Sequence, residues 1–163
     1  MVTNPVWWHV LIGFAVSIGG GLLITPISNA LWRDLGWDGK DAKIRPHAHH
    51  ASMVGVVERV LYTAAWLAGK PEFVAVWLAL KVAGQWSRWS GEVTLGQEKA
   101  AGRAVFNVFL LGNAFSIAYG LVGGLLIVSL SSDSPSLGIW AAGALVAGSL
   151  VFLVWAKHHE TAA

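Results

Sequence analysis

Five apolar stretches dominate the chain, and short polar segments separate them. The first covers 7–32 and is followed by a polar segment over 33–50. Two shorter apolar runs, 51–68 and 71–86, are divided only by Gly69-Lys70-Pro71. A second polar segment over 87–103 leads into 104–130. A serine-rich turn over 131–136 then precedes a last run over 137–156. A membrane-spanning helix needs about 20 predominantly apolar residues. The pattern therefore predicts an all-α, polytopic integral membrane helical bundle with five transmembrane helices, folded as a single membrane domain over 1–163. Glycine and proline stop a helix and turn the chain, so the second and third spans should form a tight antiparallel hairpin. Full crossing is the expected form of that hairpin. A re-entrant loop remains the alternative, and it would have to be buried in protein or line a cavity.

Composition supports the pattern. The chain is 55% hydrophobic and 12% charged, and it has ten tryptophans. Soluble domains carry about 25% charged residues. The absence of cysteine excludes disulfides, thiolate catalysis and cysteine metal sites. A net charge of +2 is too small for a nucleic-acid-binding surface. The N-terminal segment lacks the basic region of a secretory signal peptide, so the first run is expected to remain as a membrane helix.

The placement of charge is more informative than its sum. Lysine and arginine favour cytoplasmic loops. Arg33, Lys40, Lys43, Arg45, Arg88, Lys99, Arg103 and Lys157 fall on one side of the predicted layout, and only Lys70 falls on the other. This asymmetry orients the N-terminus outside and the C-terminus inside, in the cell (inner) membrane. Trp7, Trp8, Trp32, Trp86, Trp89 and Trp155 sit where interface anchors are expected.

Three charges interrupt the hairpin runs: Glu58, Arg59 and Lys81. Arg59 and Lys81 are equidistant in sequence from Lys70, which places them at a common depth of roughly 16 Å from the turn at 1.5 Å per residue. A charge at that depth costs about 2.5–3.5 kcal/mol on insertion scales. Glu58 should therefore pair with Lys81 or Arg59. The pair leaves one positive charge over, which an anionic ligand, a lipid headgroup or backbone carbonyls would satisfy. Such a cluster can line an ion or ligand pathway, or it can lock the hairpin in register. Tyr62, one turn after Glu58, and Asn113 and Ser116 of the fourth span are at a depth to join it. The last two can also act as interhelical hydrogen-bond glue. Trp77, one turn before Lys81, should fill bundle space or form a cation–π contact with that lysine.

Small residues recur at four-residue spacing in two spans. Gly13, Ser17 and Gly21 form one stripe, and Gly112, Ser116, Gly120 and Gly124 form another. Stripes of this kind allow close helix approach within the bundle or between subunits. Thr25-Pro26 should kink the first helix near its inner end.

Six histidines complete the chemistry. His47, His49 and His50 share the expected inner side with His158, His159 and Glu160, whereas His9 is on the other side. Imidazole and carboxylate suit zinc, iron or nickel. However, the HxxxH and HxxHH boxes of membrane di-iron hydroxylases and desaturases are missing, and solvated histidines meeting headgroups are the simpler reading. Neither a zincin HExxH nor a serine nucleophile elbow is present, and the Gly19–Gly21 triplet lies inside a span without the lysine of a phosphate loop. No cofactor is identifiable. The expected function is an accessory or assembly subunit of a larger membrane complex, associating with copies of itself or with other membrane subunits. A small oligomeric channel or transporter using Glu58, Arg59 and Lys81 is the second reading. A membrane-embedded metal enzyme is the third.

Overall fold

A computed structural model describes residues 6–34, 48–86, 99–132 and 135–160. Among the described residues the regular structure is entirely helical: α1 (Trp7–Gly19), α2 (Gly21–Asp34), α3 (Ala48–Leu67), α4 (Glu72–Gly84), α5 (Lys99–Leu130) and α6 (Ser136–Glu160). Three stretches are long and apolar enough to cross a membrane: Trp7–Arg33 (27 residues), Val105–Leu130 (26 residues) and Ser136–Ala156 (21 residues). At 1.5 Å per residue even the shortest reaches about 31 Å, enough for a hydrocarbon core of about 30 Å. By contrast, α4 has 13 residues, which reach only about 20 Å.

α5 is the central helix, and α1, α3 and α6 pack around it while α2 reaches α6. The contacts give the directions. Gly13 faces Gly123 and Gly20 faces Tyr119, so α1 is antiparallel to α5. Gly120 meets Tyr62 and Gly124 meets Trp66, so α3 is parallel to α5. α6 returns along α5, with the Gly138 N–H donating to Ser129 Oγ (3.0 Å) and the Tyr119 hydroxyl bonded to Ser149 Oγ (3.1 Å). Since Trp66 is level with Gly124, the end of α3 falls about five residues, roughly 8 Å, short of the end of α5.

The glycine stripes serve several partners. A Cβ at Gly13 would lie 2.5 Å from the carbonyl oxygen of Gly123, and one at Gly123 would lie 2.7 Å from that of Gly13. The α1 and α5 backbones thus touch. Gly120 and Gly124 accommodate Tyr62 and Trp66 of α3, and Gly21 accommodates Arg59. Gly112 differs from its expected role: nothing in the described structure lies within 4 Å of a Cβ there, so it carries no packing contact. Gly123, one residue off the predicted stripe, holds α1 instead, because α5 is packed on more than one face.

The first predicted span is divided at Gly20, whereas α2 runs through Pro26. The Gly20 carbonyl is shared between the Leu23 N–H (3.1 Å) and the Ile24 N–H (2.9 Å). Two close tertiary contacts lie at this point. The Tyr119 ring fills the space where a side chain at Gly20 would stand, and the Arg59 guanidinium fills it at Gly21. Trp32 is also unlike an interface anchor, being 9% exposed inside the bundle, whereas Trp7 is 71% exposed. Trp8, Trp86 and Trp155 are exposed as well, and Trp89 lies outside the described residues.

The hairpin turn follows from its residues. Gly69 has φ +66°. The Lys70 N–H reaches the Ala65 carbonyl (2.8 Å) and the Gly69 N–H reaches Trp66 (3.1 Å), which together form a Schellman cap. Pro71 then begins α4. Nothing lies within 4 Å of a Cβ at Gly69, so substitution there strains the backbone alone. Gly69→Ala should lower stability by about 1 kcal/mol. Gly84→Ala, at an open helical position, should not lower it. Thermal unfolding of both variants in detergent checks this, and equal behaviour of the two would refute it.

Candidate functional site

A polar layer crosses the bundle where α1, α3, α4 and α5 meet. Its depth follows from Ser116, which is 11 residues from Val105 and 14 from Leu130 in the apolar stretch of α5, or about 17 and 21 Å. Two adjacent residues of α3 supply opposite charges to this layer, and helical geometry turns them about 100° apart. Glu58 faces α4, and Arg59 faces α1 and α5.

On the α4 side, Glu58 is 2% exposed. Its Oε1 accepts from Lys81 Nζ at 2.7 Å and from Trp77 Nε1 at 2.8 Å. Lys81 also donates to Asn113 Oδ1 (2.6 Å). The Asn113 amide is oriented by donation of its Nδ2 to the Phe109 carbonyl (2.7 Å). Lys81 Nζ lies 5.3 Å from the centre of the Phe109 ring, so its aromatic neighbour on α5 is a phenylalanine. Trp77 is a hydrogen-bond donor to the carboxylate, and it stacks on Phe73 at 6.1 Å. One lysine, one carboxylate, one indole and one amide therefore tie α4 to α3 and α5.

The Arg59 side differs. Arg59 is 4% exposed and forms no ion pair among the described residues. Its Nη1 donates to Ser116 Oγ at 3.4 Å and its Nη2 to the Ile18 carbonyl at 3.5 Å, both beyond the usual range for such bonds. Its Nε is buried and unpartnered. Tyr62 is fully buried, and its hydroxyl is likewise unpartnered. The predicted members of the cluster thus divide, with Glu58, Lys81 and Asn113 bonded together on one side and Arg59 meeting Ser116 on the other, while the Tyr62 ring packs on Gly120.

A hydroxyl junction lies beside Arg59. Thr63 Oγ1 is 2.9 Å from Ser17 Oγ, 2.9 Å from the Arg59 carbonyl and 2.8 Å from the Gly120 carbonyl. Ser17 Oγ is 3.2 Å from the same Arg59 carbonyl. Each hydroxyl has one proton, so these acceptors are served in alternation. The junction joins α1, α3 and α5 at one point. Thr63 was legible in part, because a threonine commonly bonds back to the carbonyl four residues earlier. Its two further partners belong to other helices and left no local trace.

His9, one of two histidines with described side chains, is 7% exposed and lies 3.1 Å from Ser131 Oγ. His158 is exposed on α6. His47 lies outside the described residues. His49, His50 and His159 are within helices whose side chains there are not described. Among the described residues no group of three potential metal ligands gathers.

Three stretches apolar and long enough to cross a bilayer, packed around a buried charged layer, mark a helical membrane protein. The chain matches no family model, no curated protein and no solved structure.

Proposed function

We propose that the protein is an accessory or assembly subunit of a larger complex in the cell membrane, with its N-terminus outside and its C-terminus inside. The observation that carries this reading is the closed circuit of Glu58, Lys81, Trp77 and Asn113. These groups spend their charge and hydrogen-bonding capacity on one another, holding a short hairpin against the central helix. Broad apolar surface is left on the hairpin and on α6: Val76 is 58% exposed, Leu80 63%, Trp140 76% and Val151 69%. Other membrane subunits, copies of the chain and lipid are all suited to such surface. The shortness of α4 and the shortfall of α3 against α5 support the re-entrant form of the hairpin over a full crossing.

A small channel or transporter is the second reading. Its support is the 20% exposure of the Lys81 side chain within the charged layer. The metal-enzyme reading draws no support from the described side chains.

Purification from the native membrane in mild detergent separates the two readings. A subunit should bring down one or more membrane proteins in stoichiometric amount, and a homogeneous lone monomer would overturn that reading. The transport reading requires solute flux in liposomes that Glu58→Gln alters without loss of expression.

A further inference from the structure

We propose that the outward face of α2 binds one anionic phospholipid of the adjoining leaflet, with the phosphate at Arg33 and an acyl chain along Leu22. This inference stands independently of the subunit reading.

The pattern of the helix is the first ground. α2 turns Ile27 and Ala30, each 1% exposed, toward the bundle. Its other side exposes Leu22 (82%), Thr25, Asn29 and Arg33. Neighbours in this series are three or four residues apart, so they form a single stripe on the helix surface. The stripe changes chemistry along its length, from an alkyl group through a hydroxyl and an amide to a guanidinium. Thr25 and Asn29 lie within the apolar stretch Trp7–Arg33, where acyl chains alone offer them no hydrogen bond. A phospholipid has the matching gradient, from charged phosphate through ester oxygens to hydrocarbon.

The second ground is distance. Arg33 ends the apolar stretch, Asn29 lies about 6 Å further in and Thr25 about 12 Å further in. The headgroup layer of one leaflet is about 5–8 Å deep. A phosphate at Arg33 therefore sets its ester oxygens near Asn29 and starts its chains near Thr25. Arg33 Nε donates to the Asn29 carbonyl at 3.4 Å, which folds the guanidinium back along the helix toward that residue. Guanidinium suits phosphate, and the amide and hydroxyl can donate to esters.

Charge and a second helix agree with this ligand. The two carboxylates with described side chains are elsewhere, Glu58 in the polar layer and Glu72 at the hairpin turn. α6 packs beside α2 and runs the same way. Tyr119 meets both Gly20 and Ser149, so those two residues are level. His158, nine residues past Ser149, thus comes level with Asn29, nine past Gly20. Trp155 comes level with Pro26 by the same count. Both His158 and Trp155 are exposed, and an indole favours the headgroup level. A second copy docked symmetrically through this stripe would set Arg33 against Arg33, so charge favours the lipid.

The test is native mass spectrometry of the full chain in detergent, titrated with phosphatidylglycerol or with phosphatidylcholine of the same acyl chains. Wild-type protein should bind its first phosphatidylglycerol about fivefold more tightly, the effect of one basic residue near an anionic lipid. Arg33→Gln should remove that preference. Asn29→Leu should weaken both lipids about threefold, the average worth of one hydrogen bond between membrane helices. Lys70→Gln removes an exposed cation at the hairpin turn and should leave the preference intact. All three positions are exposed, so the variants should fold. Equal affinity of wild-type protein for the two lipids overturns the proposal. So does a preference that survives Arg33→Gln, or one that Lys70→Gln reduces equally. A dimer that Asn29→Leu dissociates would give the stripe to a second copy and overturn it as well.

Discussion

Lys81→Met lowers the stability of the bundle by about 3–5 kcal/mol, the range observed when one partner of a buried ion pair is removed. The loss comes from what remains, because Glu58 is 2% exposed and would keep its carboxylate with the Trp77 indole as its remaining hydrogen-bond donor among the described residues. Glu58→Gln should cost less. The amide oxygen can still accept from Trp77, and Lys81, being 20% exposed and bonded to Asn113, keeps other partners. The double variant Glu58→Gln/Lys81→Met should recover part of the loss, with a coupling energy within the 0.5–3 kcal/mol typical of directly contacting pairs, roughly. Reversible unfolding in mixed detergent micelles measures all three variants. Strict additivity would show that the two side chains do not act as a pair.

The second large effect is steric. Gly13→Ala introduces a methyl group 2.5 Å from the Gly123 carbonyl oxygen and into contact with Ile127. A flexible side chain can move aside, but the backbone of a packed helix cannot. Overpacking of this kind costs about 1–3 kcal/mol and occasionally more, and the backbone contact puts Gly13 at the upper end. Gly112→Ala is the natural control, because nothing lies within 4 Å of the added carbon and alanine has the better helix propensity. The unfolding midpoint of Gly13→Ala should fall well below that of Gly112→Ala. Equal midpoints would mean that α1 and α5 are not in backbone contact. The same pair distinguishes the two uses of a small-residue stripe, since Gly112 is open among the described residues and remains available to another surface.

Much of the architecture was legible along the chain. Hydrophobic run length located the helices, because a bilayer sets the number of apolar residues that a crossing needs. Gly69 and Pro71 marked the hairpin, because a left-handed residue and a missing N–H are local backbone constraints. The common depth of Glu58, Arg59 and Lys81 followed from helical rise alone. So did their inability to share one partner, since adjacent helical residues face about 100° apart.

Which of the two cations takes Glu58 was not legible, because sequence distance gives depth and leaves azimuth open. Packing settled it by setting α4 on the Glu58 face and turning Arg59 toward Ser116 and Ile18. The break at Gly20, the burial of Trp32 and the contact of Gly123 with Gly13 were hidden for the same reason. Each lies at a contact with a distant part of the chain. Local residues specify where a helix starts, stops and becomes apolar. The meeting of three helices at Thr63, which brings its hydroxyl to Ser17 and Gly120, exists only once those helices have docked.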